Sequence, residues 1–459
     1  MTTQIQTSNY NHLDKILKLA IPTACSYLGI MAMGMVDLLV VGRLGAVATA
    51  AVGLSTAVFA AFIVPGVGLV AGLEFPASRG FGRGSVEEST RALGQGLILA
   101  LVGGIPATAG VLLIASRLDL LGATPEVAAA AGPYLSILAW GLVPSYAYAA
   151  MRSFLQSVQI VRAPLAVMVA ANVLNAAANI ALVYGHWGAP SLGLPGSAIA
   201  TVAARLALCL GLAVTVWIWL VSRSARRAWL RFSWDHFVEI TRLGVPAAAQ
   251  MMLEVGAFSL ATILVARLSA AASAAHNIVL NIASVTFMVP LGIGAATSAL
   301  VGEAVGRQLP REGRLLGWTG LGVGVGFMAL SAVGLILFAP PILGLYTNDA
   351  DAIAFGTKIL VAAALFQISD GCQVVLTGAL RGTGDTHHAM KANLLGHWLI
   401  GLPIGLVLCF PLGRGVVGMW TGLALGLTAV AARLLWVWWK LGTQISASSP
   451  MMESEVIPR

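Results

Sequence analysis

Residues 18–46, Lys18-LAIPTACSYLGIMAMGMVDLLVVGRLGA, and residues 242–270, Arg242-LGVPAAAQMMLEVGAFSLATILVARLSA, align without a gap at an offset of 224. Pro22 meets Pro246, and Arg43-Leu44 meets Arg267-Leu268. The same offset pairs Gly82-Arg83 with Gly306-Arg307, and an offset of 225 pairs Leu155-Gln156 with Leu380-Arg381. A register kept over this distance marks an internal duplication. Each segment is long and apolar enough to hold a membrane-spanning helix, which needs about 20 such residues.

Outward from these segments, polar or Gly/Pro-rich breaks divide the chain into twelve apolar stretches, near 15–41, 47–75, 91–115, 127–150, 163–185, 195–221, 238–266, 272–300, 315–338, 352–378, 388–411 and 415–440. Composition agrees: of 459 residues, 58% are hydrophobic and 10% charged, with mean hydropathy +0.88. Soluble domains run at about 45–50% apolar and about 25% charged residues, so an ordinary soluble protein is excluded. Little chain remains for a separate soluble catalytic domain. Because the offset spans six helices, an even number, the halves share one orientation and are related by a pseudo-two-fold axis along the membrane normal. The expected fold is an all-α membrane protein of twelve transmembrane helices in two six-helix bundles facing a central cavity. Expected divisions are a cytoplasmic tail at 1–12, an N-terminal lobe at 13–221, a cytoplasmic linker at 222–235, a C-terminal lobe at 236–441 and a tail at 442–459. Both tails read as solvated, poorly ordered ends.

Lysine and arginine mark the cytoplasmic side. Fifteen lie in the even-numbered loops and four more, Lys15, Lys18, Lys440 and Arg459, near the termini, against five in the odd loops: Arg43, Arg117, Arg267, Lys358 and Arg414. Both termini are therefore expected in the cytoplasm. The same bias accounts for the net charge of +8 without nucleic acid, since no basic stripe is interleaved with exposed aromatics. The first residues show no apolar stretch with a cleavage site, so no removable signal peptide is expected. Cys25, Cys209, Cys372 and Cys409 all lie in apolar stretches without close spacing and suggest packing, not a disulfide framework or zinc site.

Charges inside spans are costly in lipid and usually face protein or water. Asp37 in the first span, Glu254 in the seventh and Asp370 in the tenth stand deep in their segments, and Arg205 and Arg433 are the basic residues of comparable depth. Each carboxylate reads either as a site for a bound proton or a hard cation such as Na⁺, or as a structural hydrogen-bonding group. Asp37 aligns with Ala261 and Glu254 with Ile30, so the acids are not repeat partners and the lobes have distinct tasks. Asn172, Asn175 and Asn179 in the fifth span and Thr201 in the sixth add polar groups, Asn175 and Asn179 sharing one helix face. Their alternative reading is helix–helix glue. Glu74 and Glu303 read as interfacial. His276, Asn277 and Asn281 at the start of the eighth span either line a cavity or are satisfied in place. His387 and His388 sit on a cytoplasmic loop and read as solvated.

Met33-GMVDLLVVGRLG, Ala275-HNIVLNIASVTFMVPLGIGAATSALVGEAVG and Ser369-DGCQVVLTGALRGTGDT resemble the multidrug and toxic compound extrusion (MATE) family over about residues 12–440. The likeness is nearest the branch of the bacterial norfloxacin exporters, whose acidic pair Glu254 and Asp370 match. The resemblance implies a V-shaped pair of six-helix bundles that exports cationic, amphipathic drugs and dyes in exchange for Na⁺ or H⁺. It implies a coupling-cation site at Glu254 and Asp370, with Na⁺ as one candidate ion, and a first-lobe polar cluster of Asp37, Asn175, Asn179 and Thr201. Phe366, one turn from Asp370, stands where related sequences often carry tyrosine. Met33, Phe287, Met288 and Phe366 are candidates for cavity walls, since methionine and aromatics adapt to varied apolar shapes, with lipid or interhelical packing as the other reading. No cofactor is expected. The expected setting is the bacterial inner (plasma) membrane, with the lipid bilayer and small cationic compounds as partners, no nucleic acid, and a monomer as the working unit.

Two further functions compete with export. A lipid-linked oligosaccharide flippase of the same superfamily would be expected to carry more cationic residues in its cavity. An intramembrane enzyme would need a catalytic signature, and the sequence has no H-E-x-x-H, G-x-S-x-G, Walker A or Asp-rich prenyl-diphosphate motif. The loop Ser78-RGFGRGSVEESTR also lacks the Asp-Arg pattern of the major facilitators.

Overall fold

The computed structural model describes residues 2–223 and 228–447. Arg226 and Arg227 of the expected linker, Arg459 and most of the expected C-terminal tail lie outside the described residues. The ordered elements of the described residues are all helices: α1 (Thr2–Gly42), α2 (Ala46–Val70), α3 (Glu74–Gly82), α4 (Val86–Ala115), α5 (Pro125–Ala139), α6 (Leu142–Ser157), α7 (Arg162–Tyr184) and α8 (Leu194–Ser222) are followed by α9 (Trp234–Val265), α10 (Ala270–Gly306), α11 (Pro310–Leu337), α12 (Ala339–Gly344), α13 (Ala350–Gly382), α14 (His387–Asn393), α15 (Leu402–Cys409) and α16 (Gly415–Ala447). Eleven helices are long and apolar enough to cross a membrane, and the bent pair α5 and α6 makes a twelfth span. Large apolar side chains such as Leu39, Leu113, Val173, Leu210, Leu365 and Leu399 face outward, as a lipid solvent requires.

Three elements differ from the sequence expectation. The first tail is not irregular: α1 runs from Thr2, because residues 2–17 contain neither Gly nor Pro to stop a helix entering the first span. The fourth span is broken, α5 and α6 meeting at 44°. Pro144 cannot donate to the carbonyl of Trp140, so α5 closes with short bonds from Trp140 N to Ile137 O (3.2 Å) and Gly141 N to Leu138 O (2.8 Å) before α6 begins. In the eleventh span a π-helical segment, Leu394–Gly401, joins α14 to α15 just ahead of Pro403.

The chain divides into two compact units, residues 25–249 and residues 1–24 with 250–459. The division falls inside α1 and α9, shortly after Pro22 and Pro246, and not in the 222–235 linker. Close backbone contacts explain this. In the first unit a Cβ on Gly68 of α2 would lie 2.5 Å from Ala248 Cα, so the middle of α9 packs there backbone to backbone. In the second unit a Cβ on Gly292 of α10 would lie 2.7 Å from Ala24 N, and the middle of α1 packs there. The 224-residue offset carries Gly68 to Gly292 and Ala24 to Ala248, so the duplication preserved the contact. The core of the first unit is built around Phe154, which meets Trp219 edge-on at 5.2 Å. In the second unit α13 is the central helix, with 67% of its most apolar stretch buried, and it carries Asp370.

Candidate functional site

Asp37 sits in α1 with 7% of its surface exposed. The turn-by-turn spacing on α7 brings two amides to it: Asn175 Nδ2 and Asn179 Nδ2 donate to Asp37 Oδ1 at 3.0 and 2.7 Å. From α8, Thr201 Oγ1 lies 2.7 Å from Asp37 Oδ2, its proton shared with the Ser197 carbonyl at 3.0 Å. Three donors on one carboxylate satisfy a buried acid. Arg205, four residues along α8 from Thr201, interacts electrostatically with Asp37 and lies 4.0 Å above the Phe59 ring. Tyr134 of α5 is a further neighbour. Asn172 binds elsewhere, donating to the Gly29 carbonyl at 3.1 Å.

In the other unit Glu254 of α9 receives one amide on each oxygen. Gln373 Nε2 of α13 donates to Oε1 at 3.1 Å, and Gln250 Nε2, one turn earlier on α9, donates to Oε2 at 3.2 Å. Asp370, one turn before Gln373, is 5% exposed and interacts electrostatically with Glu254. Among the described residues no basic side chain acts on either acid. The structure thus brings Glu254 and Asp370 together, and Asp37 separately with Asn175, Asn179 and Thr201.

The wall candidates divide. Phe366 is 4% exposed and packs edge-on between Phe258 and Trp420, each 5.7 Å away, inside the core. Met33 is buried in the core of its own unit, while Phe287 and Met288 are half-buried. His276 is fully buried and paired at both ring nitrogens, Trp420 Nε1 lying 3.0 Å from Nδ1 and Thr262 Oγ1 2.9 Å from Nε2. The indole can only donate, so Nδ1 is the acceptor and Nε2 carries the proton. Asn277 and Asn281 are exposed, Asn281 accepting from Tyr346 at 3.2 Å. Glu74, expected at the interface, is 9% exposed and accepts from Ser153 at 3.1 Å. His388 pairs with Asp385.

Gln250, Gln373, Tyr134 and Arg205 escaped the sequence reading as site members. The spacing held a signal for the glutamines, at i, i+4 from Glu254 on one side and i, i+3 from Asp370 on the other.

Twelve spans with carboxylates buried in each unit define a multi-pass membrane transport protein. The MatE family model matches residues 22–181 and 246–407, one match in each repeat, and the chain belongs to that family. It is 37% identical over 436 residues to the probable multidrug resistance protein NorM of Bradyrhizobium diazoefficiens, covering 93% of each chain. It is 34% identical over 443 residues to the probable multidrug resistance protein NorM of Brucella suis, covering 94% of this chain and 93% of that one. The Vibrio cholerae MATE transporter VcmN in its bent form has the same fold, with TM-score 0.84 at 21% identity over 96% of this chain and 99% of that one.

Proposed function

We propose that this chain is a multidrug efflux antiporter that exports small cationic, amphipathic drugs and dyes in exchange for Na⁺ or H⁺. The observation that carries the reading is the pair Glu254 and Asp370 inside a membrane helix bundle, Asp370 buried and Glu254 half-buried, with no basic side chain among the described residues acting on either. Such a pair needs a cation, and a proton, a sodium ion or a drug cation can each supply it. If one site serves them in turn, loading the coupling ion releases the drug, and no covalent step is required. The Asp37 cluster in the other unit, with its three donors, is read as a second protonation or ion site acting at a different step. The protein works as a monomer in the bacterial inner membrane with both termini in the cytoplasm, an orientation supported by the lysine and arginine bias of the loops. Relatives named as multidrug resistance proteins support the substrate class.

The test is efflux of ethidium or norfloxacin from proteoliposomes under separately imposed Na⁺ and proton gradients. Efflux driven by either gradient is the expected result and identifies the ion. Purified protein that moves neither compound under either gradient overturns the proposal.

A further inference from the structure

The two acids of the second unit differ in what reaches them. Glu254 accepts one amide N–H on each oxygen, at 3.1 Å from Gln373 and 3.2 Å from Gln250. Gln373 is also held from its other end, where the Thr377 hydroxyl donates to Gln373 Oε1 at 3.3 Å. The NH₂ group is turned toward Glu254. Gln373 is fully buried and Gln250 is 5% exposed, so both donors reach the half-buried Glu254 from the protein side. Asp370 accepts no hydrogen bond from any described residue, although at 5% exposed it is more buried than Glu254 and faces the charge of that group.

Two neighbouring carboxylates carry one negative charge more cheaply than two. A side-chain amide NH₂ can only donate, and its bonds are strongest to a charged acceptor. Other groups nearby do not reverse this preference. From the π-helical segment His397 packs against Phe258, one turn from Glu254, at 5.9 Å, and neither of its ring nitrogens is hydrogen-bonded. Trp398 of the same segment donates to the Leu253 carbonyl at 2.9 Å. Asp370 is the charged group that α13 presents to Glu254.

We propose that Gln250 and Gln373 are positioning residues that hold Glu254 as the anion of the pair and leave Asp370 to take up the proton. This rests on the reading of the pair as the coupling site and assigns its members different tasks. Glu254 is the standing negative charge, and Asp370 is the group whose protonation state changes through the cycle.

The experiment uses the reconstituted full chain without sodium or drug. Infrared difference spectra between alkaline and acidic pH report the carbonyl stretch of protonated carboxyl groups. The expected result is that Asp370→Asn loses one such band relative to wild type while Glu254→Gln keeps it. Any other pattern overturns the assignment. In a second comparison, Gln250→Met and Gln373→Met are added, singly and together, to Asp370→Asn. With its donors removed, Glu254 should then protonate and restore a band, whereas a glutamine that only fills space would restore none. Continued absence of the band in those proteins, with helix content intact, removes the glutamines from the mechanism. Efflux separates the two levels. Export surviving in both Glu254→Gln and Asp370→Asn overturns the coupling pair itself, and export lost in both with the band on Glu254 overturns only the division of tasks.

Discussion

A carboxylate taken out of water must find donors or a cation, and the three deep acids of this chain meet that need in different degrees. Asp37 has three donors, Glu254 has two and Asp370 has none among the described residues. Asn179→Leu should therefore destabilise the first unit by about 1–3 kcal/mol, because it removes the 2.7 Å donor and leaves a buried charge short of a partner. Thermal unfolding in detergent checks this, and an unchanged midpoint would show that Asn179 is dispensable to the fold. Asp370→Asn and Glu254→Gln, at nearly constant volume, should each reduce gradient-driven dye efflux to the rate of protein-free liposomes while helix content is kept. Wild-type efflux in both variants would remove the second-unit pair from coupling. The acids themselves could be read from sequence because a charge in an apolar span is conspicuous. Their glutamine partners stood at helical spacing from the acids, but an amide in a membrane helix is common as interhelical glue, and the three-dimensional contacts are what distinguish Gln250 and Gln373 from Asn172.

Existence and order of the helices followed from apolar run lengths, but their breaks did not. Proline does not by itself break a membrane helix: Pro22, Pro65, Pro106, Pro246 and Pro290 all lie inside continuous helices, whereas the chain breaks ahead of Pro144 and turns π-helical ahead of Pro403. Neighbouring helices decide which freed carbonyls are satisfied, and that information is not local. Small residues decide how closely the helices approach. A Cβ on Gly378 of α13 would lie 2.2 Å from the Gly294 carbonyl oxygen of α10, while a Cβ on Gly326 of α11 would meet nothing within 4 Å. Gly378→Ala should then cost about 1–3 kcal/mol through overpacking. Gly326→Ala should be neutral or mildly stabilising, since alanine is the better helix former by about 1 kcal/mol. Equal thermal midpoints for the two variants would mean that the α10–α13 contact does not limit stability.

Across the whole chain the duplication is written in charge as well as in shape. The repeat offset relates Lys15 to Glu239 and Glu88 to Glu312. In the first unit Arg79 bridges Glu239 at 2.9 Å and Glu88 at 2.8 Å, and in the second Lys15 meets Glu312 at 3.2 Å. Each pair ties the first half of one long helix, α9 or α1, to the loop region after the second span of its unit, with the sign of the helix residue reversed. Burial ranks them: the Arg79 side chain is 20% exposed and Lys15 45%. Arg79→Met, which removes the Glu239 pair and leaves Glu88 to Arg83 alone at 3.3 Å, should lower the unfolding midpoint more than Lys15→Met, whose exposed pair is worth about 1 kcal/mol at most. The reverse order would mean that exposure does not set the strength of these pairs. The proposed orientation in the membrane rests on the same distribution of charge. Arg43 and Arg267 end the first span of each repeat, in loops poor in lysine and arginine, whereas Leu309 lies between Arg307 and Arg311. In a variant lacking Cys25, Cys209, Cys372 and Cys409, single cysteines at Leu44 and Leu268 should react with a membrane-impermeant maleimide on intact cells. A cysteine at Leu309, 45% exposed, should react only after permeabilisation. Labelling of Leu309→Cys from outside, with Leu44→Cys and Leu268→Cys protected, would invert the proposed topology. Labelling of Leu44→Cys and Leu268→Cys from opposite sides would instead break the parallel relation of the two repeats, on which the six-span offset insists.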